Sequence, residues 1–374
     1  MKIVCISASF IPANTANSIQ VVKAVHALAE LGHQVTLLVP GDKGAGWDEL
    51  KSHYGIQTSF NIHWIQENLI FKRYDFAIKA IHQARKLNPD LVYTWVLQAG
   101  VLALWQGIPT ILEMHDRVTG RIGPWLFRRF YTSKTRRRLV TITDALRKAL
   151  ISAFDLDTSK IDIIIAPDGV DLERYQDLPE PKTARKALGF PEGFTAGYTG
   201  HFYAGRGIEM MLGLAKTMPE VQFLWVGGDQ ADVTHWQKQL RGEHVDNVIL
   251  TGFVENARLP QFQAAADVLL MPYGTTISGS GGGNTADIAS PMKMFEYMAA
   301  SRAILSSDLP VIHEVLDETT AIFCPPEDLS AWQRALSHLR ENPRDCQALG
   351  QNARAAVQAY TWRSRSERAL DNFV

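Results

Sequence analysis

Net charge is nearly absent from this 374-residue sequence: 38 Lys and Arg stand against 39 Asp and Glu, a formal charge of −1. That balance excludes a protein that wraps nucleic acid along its whole length and leaves only local basic patches to consider. Cysteine is scarce. Cys5, Cys324 and Cys346 are odd in number, scattered and without ligand spacing; they read as reduced cytosolic thiols, neither a disulfide framework nor a zinc site. No apolar run approaches the roughly 18 residues that would span a bilayer. The opening MKIVCISASF is too brief and too polar in its apolar part for a signal peptide, and Ile3–Ile6 reads as a first buried strand. Low complexity is confined to Ser278–Asn284, expected to be a mobile loop. What remains is ordinary for an intracellular globular protein, with 46% hydrophobic residues and a length that fits two domains.

Short β-branched runs alternate with helical periods along the chain. Ile3–Ile6 precedes a helical pattern from Ser18 with Val21, Val25, Leu28 and Ala29 on one face; Gly32 stops it, and Val35–Val39 forms the next strand. Leu91–Thr94, Thr110–Leu112, Leu139–Thr143 and Asp162–Ile165 continue the series. The turn-rich Pro167–Pro181 interrupts it, and the alternation restarts with Thr195–Thr199, a helix from about Ile208, Gln222–Val226, Val248–Leu250, Val268–Met271, Ala303–Ser306 and Ala321–Cys324. The pattern predicts an α/β protein of two doubly wound, parallel-sheet, Rossmann-like domains facing a cleft. Their expected extents are 1–166 and 183–360, with a linker at 167–182 and an amphipathic helix at 361–374 packing back on the first domain.

Two stretches fit anion chemistry. In Ala289–Ala300 (ASPMKMFEYMAA), Ser290 suits a helix cap and Pro291 its first turn. The amides of Met292, Lys293 and Met294, with the Lys293 ammonium, would then face a diphosphate, and Glu296 lies one turn on, placed for sugar or ribose hydroxyls. An ordinary capped helix accounts for the same residues. The second stretch, Gly197–Gly207 (GYTGHFYAGRG), places a glycine-containing loop between strand and helix with Arg206 as a fixed cation. A glycine turn with a solvated arginine would look the same.

Taken in order, these and further motifs resemble the retaining glycosyltransferases of family four, with the GT-B fold, over essentially the full length. The marks are Gly200–Gly207, Ala166-Pro-Asp-Gly-Val-Asp171, Val226-Gly-Gly-Asp229, Val248–Val254, Ala266–Pro272, Ser290–Ala300 and Ser306–Pro310. The resemblance implies metal-independent transfer of a sugar from a nucleotide-sugar co-substrate, UDP- or GDP-linked, with retention at the anomeric carbon and no further cofactor. It implies donor binding in the second domain and acceptor binding in the first. On that pattern Arg206 meets the phosphates, Glu296 the ribose, and Gly227, Gly228 and Phe253 the base, while Ser290, Pro291 and Lys293 match a Ser-Pro-x-Lys helix start of some family branches. His115, in Glu113-Met-His-Asp116, would touch the donor sugar, although a structural histidine after a strand reads the same way.

There are departures from that pattern. Ile288 stands where the family often has a first glutamate, so sugar contacts fall to loop amides or to neighbours such as Asp287 and Thr285. His201 replaces a second phosphate-binding arginine, beside Gly200 and Gly205 in the same loop. Asn14–Gln20 replaces a glycine-rich loop; there Asn17 and Ser18 could offer amides and side chains to a phosphate or acceptor.

From Arg117 to Thr143 there is no acidic residue, while eight basic residues between 117 and 138 interleave with Trp125, Leu126, Phe127, Phe130 and Tyr131. Such a segment fits either an anionic membrane surface, and with it a lipid-linked acceptor on the cytoplasmic face, or a solvated face over a core helix. Two rivals share the two-domain shape: a nucleotide-sugar epimerase, which would need carboxylates at both domain faces, and a ligand-closing protein without chemistry.

Overall fold

The computed structural model describes residues 1–42, 44–66, 73–277 and 284–373. Most of the stretch expected to be mobile, 278–283, lies outside them. The chain forms two compact units, Met1–Asp168 with Trp362–Val374, and Gly169–Thr361.

The first unit is built on seven parallel strands: β1 (Lys2–Ile6), β2 (Gln34–Pro40), β3 (Asn61–Ile65), β4 (Leu91–Thr94), β5 (Thr110–Met114), β6 (Arg137–Thr141) and β7 (Asp162–Ile165). Their order is β3-β2-β1-β4-β5-β6-β7, so the winding reverses between β1 and β4. Between them run α1 (Ala16–Glu30), α2 (Trp47–Tyr54), α3 (Arg73–Leu87), α4 (Leu97–Trp105), α5 (Gly123–Tyr131) and α6 (Asp144–Phe154). Strand alternation sorts the core. Cys5, Leu37, Tyr93 and Ile111 join Val21 and Val25 of α1 on one face, while Val4, Ile6, Leu38 and Val92 meet Phe76, Ala80 and Ala99 on the other. Each of the larger side chains removed from water here contributes roughly 1.5–3 kcal/mol. β3 escaped the sequence pattern because it is an edge strand, half exposed, with no β-branched run.

The second unit repeats the plan with six parallel strands: β8 (Thr195–Thr199), β9 (Gln222–Val226), β10 (Val248–Gly252), β11 (Val268–Met271), β12 (Ala303–Ser307) and β13 (Ile322–Cys324), in the order β10-β9-β8-β11-β12-β13. Its helices are α7 (Pro181–Leu188), α8 (Ile208–Thr217), α9 (Gln230–Gly242), α10 (Leu259–Ala264), α11 (Met292–Ala299), α12 (Leu329–Glu341) and α13 (Pro343–Ala356). Tyr198, Phe223, Trp225 and Leu305 pack with Met211, Trp332 and Leu336 on one face. Leu224 and Val226 pack with Ala184 and Phe262 on the other.

The stretch 167–182, expected as a linker, is packed rather than extended. Val170 and Tyr175 are buried, Arg174 donates to Asn256 Oδ1 at 2.8 Å, and the division between units falls between Asp168 and Gly169. Apolar Val170 and Tyr175 lie among the turn residues and charges that mark a linker, and burying them pulls the segment into the second unit. The chain re-enters the first unit with α14 (Trp362–Leu370), which packs along α1; Ala369 and Phe373 join the core there.

Candidate active site

In doubly wound sheets the crevice for a ligand opens where the strand order reverses, beyond the carboxyl ends of the strands. In the second unit that point lies between β8 and β11, and the loop leaving β8 is Gly200–Gly207. Gly200 (φ 145°) and Gly227 (φ 130°) hold this loop against the one leaving β9. A Cβ at Gly227 would fall 2.0 Å from the Gly200 carbonyl oxygen, and one at Gly200 would fall 2.6 Å from Lys293 Nζ. Backbone excludes a side chain at Gly227, whereas at Gly200 it is the positive φ that favours glycine, the tip of Lys293 being free to shift.

Lys293 lies in the first turn of α11; the side chain is partly buried, and its Nζ is shut off from solvent 3.7 Å from the centre of the Tyr198 ring and 5.6 Å from that of Tyr273. Among the described residues its Nζ has no hydrogen-bond partner. Burial, reinforced by the positive charge of Arg206 and opposed by Glu296, drives its pKa far below that of a free lysine. The Arg206 guanidinium lies 5.2 Å from the Tyr273 ring centre. Two basic side chains thus lie near one ring, that of Tyr273, a setting that a bound anion would stabilise.

The start of α11 differs from expectation. Pro291 is the N-cap, with extended ψ of 119°, and no side chain caps the helix. Ser290 is buried one residue earlier, so it is not the cap; the proline ring fixes φ and leaves the last non-helical position to Pro291 itself. The Met294 amide donates to Pro291 O at 2.9 Å and is therefore spent within the turn. Met292 and Lys293 remain, ahead of the helix's own hydrogen-bond ladder.

Behind this wall lies a polar chain that the sequence did not reveal. Tyr175 OH donates to Gln263 Oε1 at 2.9 Å; Gln263 Nε2 donates to Thr199 Oγ1 at 3.2 Å and to Glu296 Oε2 at 3.3 Å. Gln263, wholly buried, thereby fixes the Glu296 carboxylate. Nearby, His201 stacks on Tyr203 with centroids 4.9 Å apart, Gly205 lies against Thr276 O, Gly228 lies against Phe202, and Phe253 is half exposed after β10. Asp287 is exposed and Ile288 buried, so no acid occupies the earlier position of the motif.

In the first unit, His115 follows β5 and its Nε2 lies 2.5 Å from Glu113 Oε1. Asn17 is exposed at the start of α1. Ser18 is not available to a ligand: it is buried, and its hydroxyl donates to Ala13 O at 2.5 Å and Thr15 O at 2.9 Å. The helix cap there is Thr15, and its loop draws the serine inward.

The basic segment divides. Leu126, Phe127 and Phe130 belong to the core, and Arg138 is buried, donating to Asp162 Oδ2 at 2.6 Å and Ala369 O at 2.8 Å. Arg136 donates to Asn372 O at 2.7 Å, and Arg137 donates to the Tyr131 and Lys160 carbonyls. These three arginines hold β6 and the chain end, so they do not form a docking surface. Exposed are Arg121, Ile122, Trp125, Arg128, Arg129, Lys134 and Arg136, the last tied to Asn372 O, with Trp105 of α4 in edge contact with Trp125.

Comparison with known proteins decides the lineage. Residues 18–174 match the family model described as Glycosyltransferase Family 4, and residues 193–342 match that of Glycosyl transferases group 1. The chain belongs to the group 1, family 4 glycosyltransferases. It is 24% identical over 254 residues to the 2-deoxystreptamine glucosyltransferase of Streptomyces kanamyceticus, covering 60% of this chain and 64% of that one. It is 22% identical over 202 residues to the alpha-galactosylglucosyldiacylglycerol synthase of Streptococcus pneumoniae, covering 52% and 50%. The chain thus spans about half to two thirds of the length of these curated relatives. Anabaena HepE, solved in complex with UDP, aligns over 98% of both chains with a TM-score of 0.74 and 16% identity. Both α/β units conform to the GT-B fold.

Proposed function

We propose that this protein transfers a glycosyl group from a UDP- or GDP-sugar to a glycan or lipid-linked acceptor, with retention and without a metal ion. The observation that carries the reading is the buried Lys293 Nζ, without a hydrogen-bond partner among the described residues, near the same Tyr273 ring as Arg206 at the reversal point of the second sheet: two basic groups suited to a diphosphate. The UDP in HepE supports the nucleotide class.

As the anomeric carbon–oxygen bond breaks, negative charge grows on the leaving phosphate. Arg206, Lys293 and the first amides of α11 would stabilise that charge more than the ground state, which is what accelerates the step. An acceptor hydroxyl attacks the face that the diphosphate leaves, and its proton passes to a phosphate oxygen. No second carboxylate is needed, in keeping with buried Ile288. Glu296, held by Gln263, is assigned to the ribose, and His115 to a hydroxyl of the transferred sugar. The exposed Trp105, Trp125 and Ile122 with Arg121, Arg128 and Arg129 support an anionic lipid surface as the acceptor's setting.

A thermal-shift series with UDP, GDP, ADP and their sugars tests the reading. One nucleotide class should raise the melting temperature of the wild type, and that of Lys293→Met by less at the same ligand concentration. A wild type indifferent to every nucleoside diphosphate would overturn it.

A further inference from the structure

The network around Glu113 is more elaborate than a strand-end carboxylate needs. Its Oε1 accepts from Gln20 Nε2 at 2.8 Å, from Arg365 Nη2 at 2.5 Å and from His115 Nε2 at 2.5 Å; its Oε2 accepts from Tyr93 OH. An ionised carboxylate carries about two lone-pair sites on each oxygen and no proton, so it can only accept; here three donors crowd Oε1 and one meets Oε2. Burial alone would raise the Glu113 pKa, but the Arg365 charge and the hydrogen bonds from His115 and Arg365 outweigh it and hold the carboxyl well below its usual range. Glu113 and Arg365 are almost fully buried, whereas the His115 side chain keeps 28% of its surface in solvent. The charge is therefore neutralised inside the unit, and the histidine is the member of the set that reaches outward.

We propose that Glu113, anchored by Arg365 of α14, is the positioning residue of His115, holding its ring as the Nε2–H form so that Nδ1 is the acceptor for a substrate hydroxyl. The substrate part rests on the assignment of His115 to the transferred sugar. The geometry of the ring does not: a carboxylate that can only accept obliges Nε2 to donate, and a neutral ring then carries its lone pair on Nδ1. A group that donates only, such as an ammonium, would find a partner there as well, but a sugar carbon bearing hydrogen in place of hydroxyl would not.

Selective 15N-histidine labelling reads the ring directly, with His115→Asn identifying the resonances. Above the pH at which the ring is neutral, the wild type should show a protonated Nε2 and an unprotonated Nδ1, and Glu113→Gln should give a mixture of both forms. A wild-type spectrum with protonated Nδ1, or one unchanged in Glu113→Gln, overturns the proposal whether or not the protein is a glycosyltransferase. Turnover supplies the second arm, with hydrolysis of UDP-glucose or GDP-mannose as probe. Glu113→Gln and His115→Asn should each lower kcat at least tenfold with donor KM within about threefold, and the double variant should be no slower than His115→Asn alone. Multiplying losses would show that Glu113 acts independently of the ring. Arg365→Lys should keep most of the activity that Arg365→Met loses, and equal losses would argue against charge anchoring.

Discussion

On the proposed function, Arg206 and Lys293 would contribute separately to use of the donor. Arg206→Ala removes a preorganised donor aimed at the charge that develops on the leaving group and should lower kcat about 100-fold or more, measured with saturating donor. Lys293→Met should weaken nucleoside diphosphate binding about 10- to 100-fold, the scale of one charge-assisted hydrogen bond. It should also leave stability near neutral pH equal or higher, because the fold no longer buries an amino group that lacks a hydrogen-bond partner among the described residues. A bound diphosphate would raise the depressed Lys293 pKa, so binding takes up a proton and affinity falls as pH rises. Calorimetry in buffers of different ionisation enthalpy would register that uptake, and its absence would contradict the linkage. Asp168 carries a pH signature of the opposite kind. Burial first, with Glu113 adding to it and His115, Arg365 and Gln20 opposing, pushes its carboxyl up to about 6. Its stabilising contribution is complete below about pH 4, where the unfolded chain also holds the proton, and is lost as pH rises through 6. Asp168→Asn should therefore raise the melting temperature at pH 8, on the scale of about 2–3 kcal/mol, with a gain that fades toward pH 4.

At the level of elements, the site depends on supports drawn from distant parts of the chain. Gln263 of α10 ties the turn at Leu172–Tyr175, the end of β8 and Glu296 of α11. Gln263→Leu leaves buried polar groups unmatched, so it should cost about 1–3 kcal/mol in denaturant unfolding and weaken nucleotide binding several-fold. This layer was closed to sequence reading. Strands were legible because both faces of a parallel sheet are covered, so β1, β9 and β11 appear as short apolar runs; exposed β3 does not. Arg206, Lys293 and Glu296 stand out as candidates because loop and helix start are local patterns. Gln263, Tyr175, Tyr198 and Tyr273 carry no local sign of their role. Glu113 and Arg365, in contact across 252 residues of sequence, look like any solvated charges until the fold joins them. Ser290 misled for the reverse reason: a serine before a helix is a cap by pattern, and the neighbouring proline took the position.

For the molecule as a whole, the exposed aromatic and basic face of α4 and α5 gives a further expectation. Vesicles rich in phosphatidylglycerol should float with the wild type, and binding should fall at least tenfold in Trp105→Ala/Trp125→Ala; equal recovery with neutral vesicles would remove the lipid surface from the functional picture. No helix among the described residues is long and apolar enough to cross a membrane, so any such attachment made by them through helices is interfacial. The chain path has its own effect on biogenesis. Strands β1–β7 are synthesised first, yet α14, with the guanidinium that neutralises Glu113, leaves the ribosome only after all of Gly169–Thr361. Until then the early strands would enclose a carboxylate without its counter-ion, so the half made first is the half finished last, and a fragment cut after Asp168 would lack the residue that lets its own core close.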